Sequence, residues 1–228
     1  MQYSLIEHNN DYVVVNKSPG ITVQRDEGSA GLLEVVAADL GREKLFPVHR
    51  LDKLTSGVLV MACHADSNRM LSALFRQREV DKFYLALSNS KPRKKQGLIK
   101  GDMEKARRGD WKLMPTQVNP AVTQFFSQSA GDGLRCYLLM PHTGKTHQLR
   151  VALRSLGAPI LGDTRYGGAA SDRAYLHAWQ LSFPWAGELK SYCALPEQGD
   201  YFTSPSFLHS LESWRAPAAL AWPKLPGR

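Results

Sequence analysis

The chain has 228 residues, 43% of them hydrophobic and 22% charged, which excludes a disordered polymer and suits one large domain or two small lobes around a shared core. No apolar run is long enough for a transmembrane helix, and the N-terminus lacks the basic-then-apolar pattern of a signal peptide. A net charge of +8 leans towards a polyanionic partner, while Cys63, Cys136 and Cys193, odd in number and without metal-ligand spacing, read as reduced thiols of a cytoplasmic protein.

Taken in order, residues 3–7 and 12–16 predict two strands joined at the polar turn His8-Asn9-Asn10-Asp11, with Lys17-Ser18-Pro19-Gly20 ending the second. Between Gly31 and Leu40 the apolar residues fall at helical spacing, and Gly41 sits where a helix stops. The stretch His49-Arg50-Leu51-Asp52-Lys53-Leu54-Thr55-Ser56-Gly57 then leads into Val58–Ala62, a short β-branched run that predicts a buried strand. Asp52 is thereby placed on a loop held by a rigid strand, where catalytic groups concentrate. A carboxylate in such a place needs a cationic partner to remain ionised.

Downstream, Asp66 is expected to cap a helix with Met70, Leu71, Leu74 and Phe75 on one face. Lys82–Ser88 returns as a strand of high β-propensity. From 91 to 112 nine basic side chains face three acidic ones, a surplus of six that reads either as a solvated loop or as a polyanion-binding segment. Residues 121–127 and 134–140 predict a hairpin around Ser129–Gly133. A helix follows, with Thr146 as cap, Leu149, Ala152, Leu153 and Leu156 inward, and Arg150 and Arg154 one turn apart. A glycine-rich loop spans 161–168, a last strand 176–183, and a helix opens at Ser204-Pro205. A single domain over 1–215 and a loosely ordered tail over 216–228 are the expected organisation.

Three pieces converge. They are His49-Arg50-Leu51-Asp52 with Thr55-Ser56-Gly57; Lys82-Phe83-Tyr84-Leu85-Ala86; and Thr143-Gly144-Lys145-Thr146-His147-Gln148-Leu149-Arg150 with Pro159–Asp163 and Tyr166-Gly167. In this order and spacing they resemble the RluA-type pseudouridine synthases. Weaker likenesses at Val15-Asn16-Lys17, Ala121-Val122-Thr123 and Leu176-His177-Ala178 extend over most of the chain. The family more often has Asn-Lys-Pro-x-Gly where this chain has Asn16-Lys17-Ser18-Pro19-Gly20.

The resemblance implies an α+β fold: a bent mixed, largely antiparallel sheet with flanking helices and a central catalytic cleft. It implies isomerisation of uridine to pseudouridine in structured RNA without cofactor or metal; the RNA is expected to be ribosomal or transfer, and the protein a monomer with no membrane partner. Asp52 matches the catalytic aspartate, Tyr84 the tyrosine that stacks on the target base, and Arg150 the arginine paired with that aspartate. Arg50 matches the residue that fills the gap left by a flipped nucleotide. His49, Lys145 and, in the basic run, Lys94, Lys95, Arg107 and Arg108 are the further candidates for RNA contact. Many relatives carry an RNA-binding domain ahead of the catalytic one. This chain is expected to begin at the catalytic domain, which leaves RNA selection to segments such as 91–112.

The reaction breaks the C1′–N1 bond, turns the uracil and joins C5 to C1′. An aspartate can attack C1′, add to C6 or take a proton from C2′, and the residues do not choose among these routes. A flat ring such as that of Tyr84 retains the detached base, at about 1–3 kcal/mol per stacked base. His49, His142 and His147 have no carboxylate or cysteine at ligand spacing, and Asp163 stays outside the catalytic set. A catalytically silent RNA-binding protein would not need Asp52, and a nucleoside glycosidase would need a second acid that no motif supplies.

Overall fold

The computed structural model describes residues 1–25 and 29–225, with the side chain of Arg108 excepted. The RNA contact expected of Arg108 and the tail end at 226–228 therefore lie outside the described residues. The chain groups into two compact units, one of Met1–Lys82 with His177–Pro196, the other of Phe83–Leu176 with Glu197–Arg228.

In the first unit β1 (Tyr3–His8) and β2 (Tyr12–Lys17) form the expected antiparallel hairpin. The helix α1 (Leu32–Asp39) follows, and Gly41 leaves it at φ +63°. A two-residue strand β3 (Phe46–Pro47) and the strand β4 (Ser56–Ala62) come next. β4 lies antiparallel to β2 and parallel to β10 (Leu176–Trp185), so the order is β1-β2-β4-β10. β2 and β4 are buried along their whole lengths, which is why they read as continuous β-branched runs rather than as an alternation. Their core surrounds Tyr12, whose ring meets Phe183 edge-on at 5.5 Å and whose hydroxyl meets that of Tyr192 at 2.7 Å.

The helix α2 (Ala65–Gln77) corrects two expectations. His64, not Asp66, is its cap, accepting the Ser67 N–H while the Ser67 hydroxyl faces back. Leu71 is fully buried, but Met70 is exposed, because the inward stripe runs through Leu71, Leu74 and Phe75. A strand not expected from the sequence, β11 (Glu188–Cys193), covers one edge of β10.

The second unit is antiparallel throughout. Its strands are β5 (Asp81–Ser88), β6 (Gln96–Lys105), β7 (Trp111–Met114), β8 (Ala121–Gly131) and β9 (Leu134–Pro141), in the order β5-β9-β8-β6-β7. Asp132 and Gly133 join β8 to β9 with positive φ at both positions, the backbone a tight two-residue hairpin turn requires. The basic run is not one continuous loop, although residues 91–95 precede the first strand. β6 and β7 occupy most of it, joined through a 3₁₀ turn at Arg107–Gly109.

The helix α3 (Gln148–Ser155) starts after His147 at φ +56° with no side-chain cap, so Thr146 is not the cap. The helix α4 (Pro205–Ser210) is capped by Ser204, which accepts the Phe207 N–H at 3.2 Å. The segment expected to be a loose tail packs through Trp222. That ring stacks on Phe83 at 5.9 Å and donates its indole N–H to the Pro217 carbonyl. Apolar contact explains this order, since Ala and Pro alone would leave the segment unconstrained. Among the described residues no helix is long and apolar enough to cross a membrane.

Candidate active site

Asp52 sits in a turn whose backbone is fixed at every corner. Thr55 donates its N–H to the Asp52 carbonyl at 3.0 Å, and Gly20 donates to the Lys53 carbonyl at 2.7 Å. Lys17 is fully buried, and its ammonium donates to the carbonyls of Ser18 at 2.9 Å, Ile21 at 2.8 Å and Lys53 at 3.4 Å. The Asn-Lys-Ser-Pro-Gly loop is thus tied to the Asp52 turn through this ammonium. At the far end Ser56 meets His177 Nδ1 at 2.8 Å, and His177 Nε2 lies 2.7 Å from the Ala194 carbonyl. Because that carbonyl only accepts, Nε2 carries the proton in that bond. Gly57, at φ +115°, lies so close to Ala178 that a Cβ would fall 2.1 Å from its carbonyl oxygen. Asp52 is partly buried, Leu51 is buried and Arg50 is exposed.

His49 has a structural use. Its ring stacks on Phe75 at 4.5 Å and its Nε2 accepts the Val60 N–H at 3.1 Å, which binds the start of the motif to β4. Burial, and after it the Lys82 ammonium, pushes its pKa down to about 3, so the ring is neutral at physiological pH. A neutral ring committed to Val60 is a poor phosphate ligand.

In the second unit Tyr84 lies on β5 opposite Leu139 of β9, partly exposed between the buried Phe83 and Leu85. Arg150 projects from the first turn of α3 with its side chain only 6% exposed. Its Nε and Nη2 meet the two carboxylate oxygens of Asp163 at 2.7 and 2.8 Å, and Asp163 is 1% exposed. The guanidinium also packs over the Tyr166 ring at 4.8 Å. Tyr166 accepts the Trp111 N–H at 3.1 Å and meets His147 Nδ1 at 2.7 Å. Burial raises the Tyr166 pKa, which keeps a proton on the phenol for His147.

Asp163 and Tyr166 are residues that sequence reasoning missed as partners of Arg150. The available signal was Gly162-Asp163 and Tyr166-Gly167 in the glycine-rich loop. Gly162, at φ +80°, leaves only 1.7 Å between a would-be Cβ and the Arg173 carbonyl, so the loop admits no larger residue there.

Lys94, Lys95 and Arg107 are exposed, and Lys145 is partly exposed ahead of α3. The Lys145 backbone is held by Gln148, whose Oε1 accepts its N–H at 3.0 Å. Among the described residues no three His, Cys, Asp or Glu side chains gather as metal ligands.

Residues 11–155 match the family model described as RNA pseudouridylate synthase. The chain is 49% identical over 214 residues to an uncharacterised RNA pseudouridine synthase of Haemophilus influenzae, covering 93% of this chain and 96% of that one. It is 34% identical over 193 residues to the dual-specificity RNA pseudouridine synthase RluA of Escherichia coli, covering 78% and 85%. Among solved structures, human RNA pseudouridylate synthase domain containing 4 superposes with a TM-score of 0.70 at 29% identity, covering 91% of each chain.

Proposed function

The chain belongs to the RNA pseudouridine synthase family and isomerises uridine to pseudouridine in RNA, and we propose that Asp52 is the carboxylate that drives this reaction. The supporting observation is the turn itself, which anchors Asp52 through Thr55, Lys17 and the start of β4. A reactive carboxylate held this rigidly loses little entropy on reaching its target atom. Tyr84 stacks on the uracil between cleavage and rejoining. Arg150, oriented by Asp163, is the site arginine of the second unit. The C1′–N1 bond breaks, the ring turns, C5 joins C1′, the C5 proton leaves and N1 gains one. No external reactant is consumed.

Arg50 enters the gap left by the flipped nucleotide, offsetting part of the unstacking cost of a few kcal/mol. The substrate is a structured ribosomal or transfer RNA, and the enzyme acts as a cytoplasmic monomer. Lys94, Lys95, Arg107, Arg108 and Lys145 contact phosphates. The test compares pseudouridine maps of total RNA from cells carrying wild-type or Asp52→Ala protein. Sites present with wild type should vanish with the variant while its fold and RNA binding persist. Their survival in cells holding only a folded Asp52→Ala protein would overturn the assignment.

A further inference from the structure

Within the second unit a cavity of about 450 Å³ opens beside Trp111, bordered by Asp102, Val118, Asn119 and the Gly144-Lys145-Thr146 segment. Its volume lies in the range of small-ligand sites. Three features of its wall point to a ligand class. Trp111 presents a half-buried indole, and its backbone is pinned by the N–H donated to Tyr166. Asp102 accepts the N–H groups of Val118 at 2.9 Å and Asn119 at 2.8 Å, so the carboxylate is oriented and the loop before β8 is fixed. Hydrogen bonds from the Val118 N–H first, then from the Thr116 hydroxyl and the Asn119 N–H, hold its pKa below the ordinary carboxylate range, with Lys145 adding to the effect. A carboxylate offers about four lone-pair sites, so capacity remains beyond the Val118, Asn119 and Thr116 donors.

An aromatic wall suits a base, an ammonium suits a phosphate, and a carboxylate suits a base edge rich in N–H donors. Guanine offers N1–H and its 2-amino group side by side. Uracil offers one N–H flanked by two carbonyls, which a carboxylate repels. We propose that this cavity binds one unpaired guanine nucleotide of the RNA, its base stacked on Trp111 and paired with Asp102, its phosphate on Lys145. The inference rests on the reading of the chain as an RNA-modifying enzyme. It adds a subsite that reads sequence away from the reacting uridine.

The test uses the full chain and three probes: GMP, UMP and inorganic phosphate. Each is titrated while the indole ¹H–¹⁵N signal of Trp111, assigned by its loss in Trp111→Phe, is followed. GMP should shift the signal saturably, and UMP should bind about tenfold more weakly, the discrimination expected of a two-point base contact. Phosphate should leave the signal unmoved. Asp102→Asn should erase the preference for GMP over UMP, and Lys145→Ala should weaken both nucleotides. The Asp52→Ala protein should give the wild-type titration, so a failure of this subsite and a failure of the catalytic assignment are read separately. No shift with GMP, an equal shift with phosphate alone, or equal affinity for UMP would each overturn the proposal.

Discussion

Arg150 and Asp163 meet as a two-pronged ion pair inside the second unit, Nε on one carboxylate oxygen and Nη2 on the other. With both side chains almost fully buried, each charge depends on the other for solvation. Asp163→Ala should therefore lower the unfolding free energy by about 3–5 kcal/mol. It should also slow turnover on RNA by letting the guanidinium wander. Arg150→Lys should recover little of either property, because an ammonium cannot match both oxygens. Denaturant melts and single-turnover rates check this; an Asp163→Ala protein of unchanged stability would show that the pair is dispensable.

Tyr84 separates two roles by one atom. Tyr84→Phe keeps the ring that holds the detached uracil and removes the hydroxyl available to assist loss of the C5 proton. The expected outcome is normal glycosidic cleavage with a slowed final step, seen as an intermediate accumulating in a single turnover. An unchanged multiple-turnover rate would confine the residue to stacking.

His49 predicts a pH effect whose sign follows from its neutral folded form. Its folded pKa of about 3 lies below the 6.5 of a free imidazole, so on acidification the unfolded chain takes the proton first. The contribution of His49 is complete above about pH 6.5 and is lost progressively as the pH falls towards 3. His49→Gln, which keeps an acceptor for the Val60 N–H, should flatten the decline in melting temperature across that window relative to wild type. Parallel declines would mean that His49 titrates alike in both states.

For the basic segment, Lys94 and Lys95 just before β6 and Arg107 in the 3₁₀ turn are the side chains to neutralise, since all three are exposed. Every phosphate that a substitution leaves without its cation should flatten the slope of log affinity against log salt by about 0.7 for single-stranded RNA. A triple alanine variant should raise KM more than it lowers kcat, because phosphate contacts position the RNA without touching the reacting base. Unchanged affinity and salt slope would make these side chains merely solvating.

Local pattern determined much of this protein. The β-branched runs of β2 and β4, the Asp132-Gly133 turn and the Ser204-Pro205 start of α4 all follow from the residues themselves, because backbone preference and burial there act over a few neighbours. The ordered motifs around Asp52, Tyr84 and Arg150 also carried the family assignment. Tertiary structure decided the rest. β6 and β7 were hidden because strand pairing uses backbone groups, which a surplus of lysine and arginine neither supplies nor forbids. The burial of Lys17 depends on carbonyls from two segments, Ser18 and Ile21 in the loop after β2 and Lys53 thirty-six positions along the chain. Asp163 reads as a loop carboxylate until the helix thirteen positions earlier turns Arg150 towards it. Such partners are joined by distance in space, and a one-dimensional pattern records only distance along the chain.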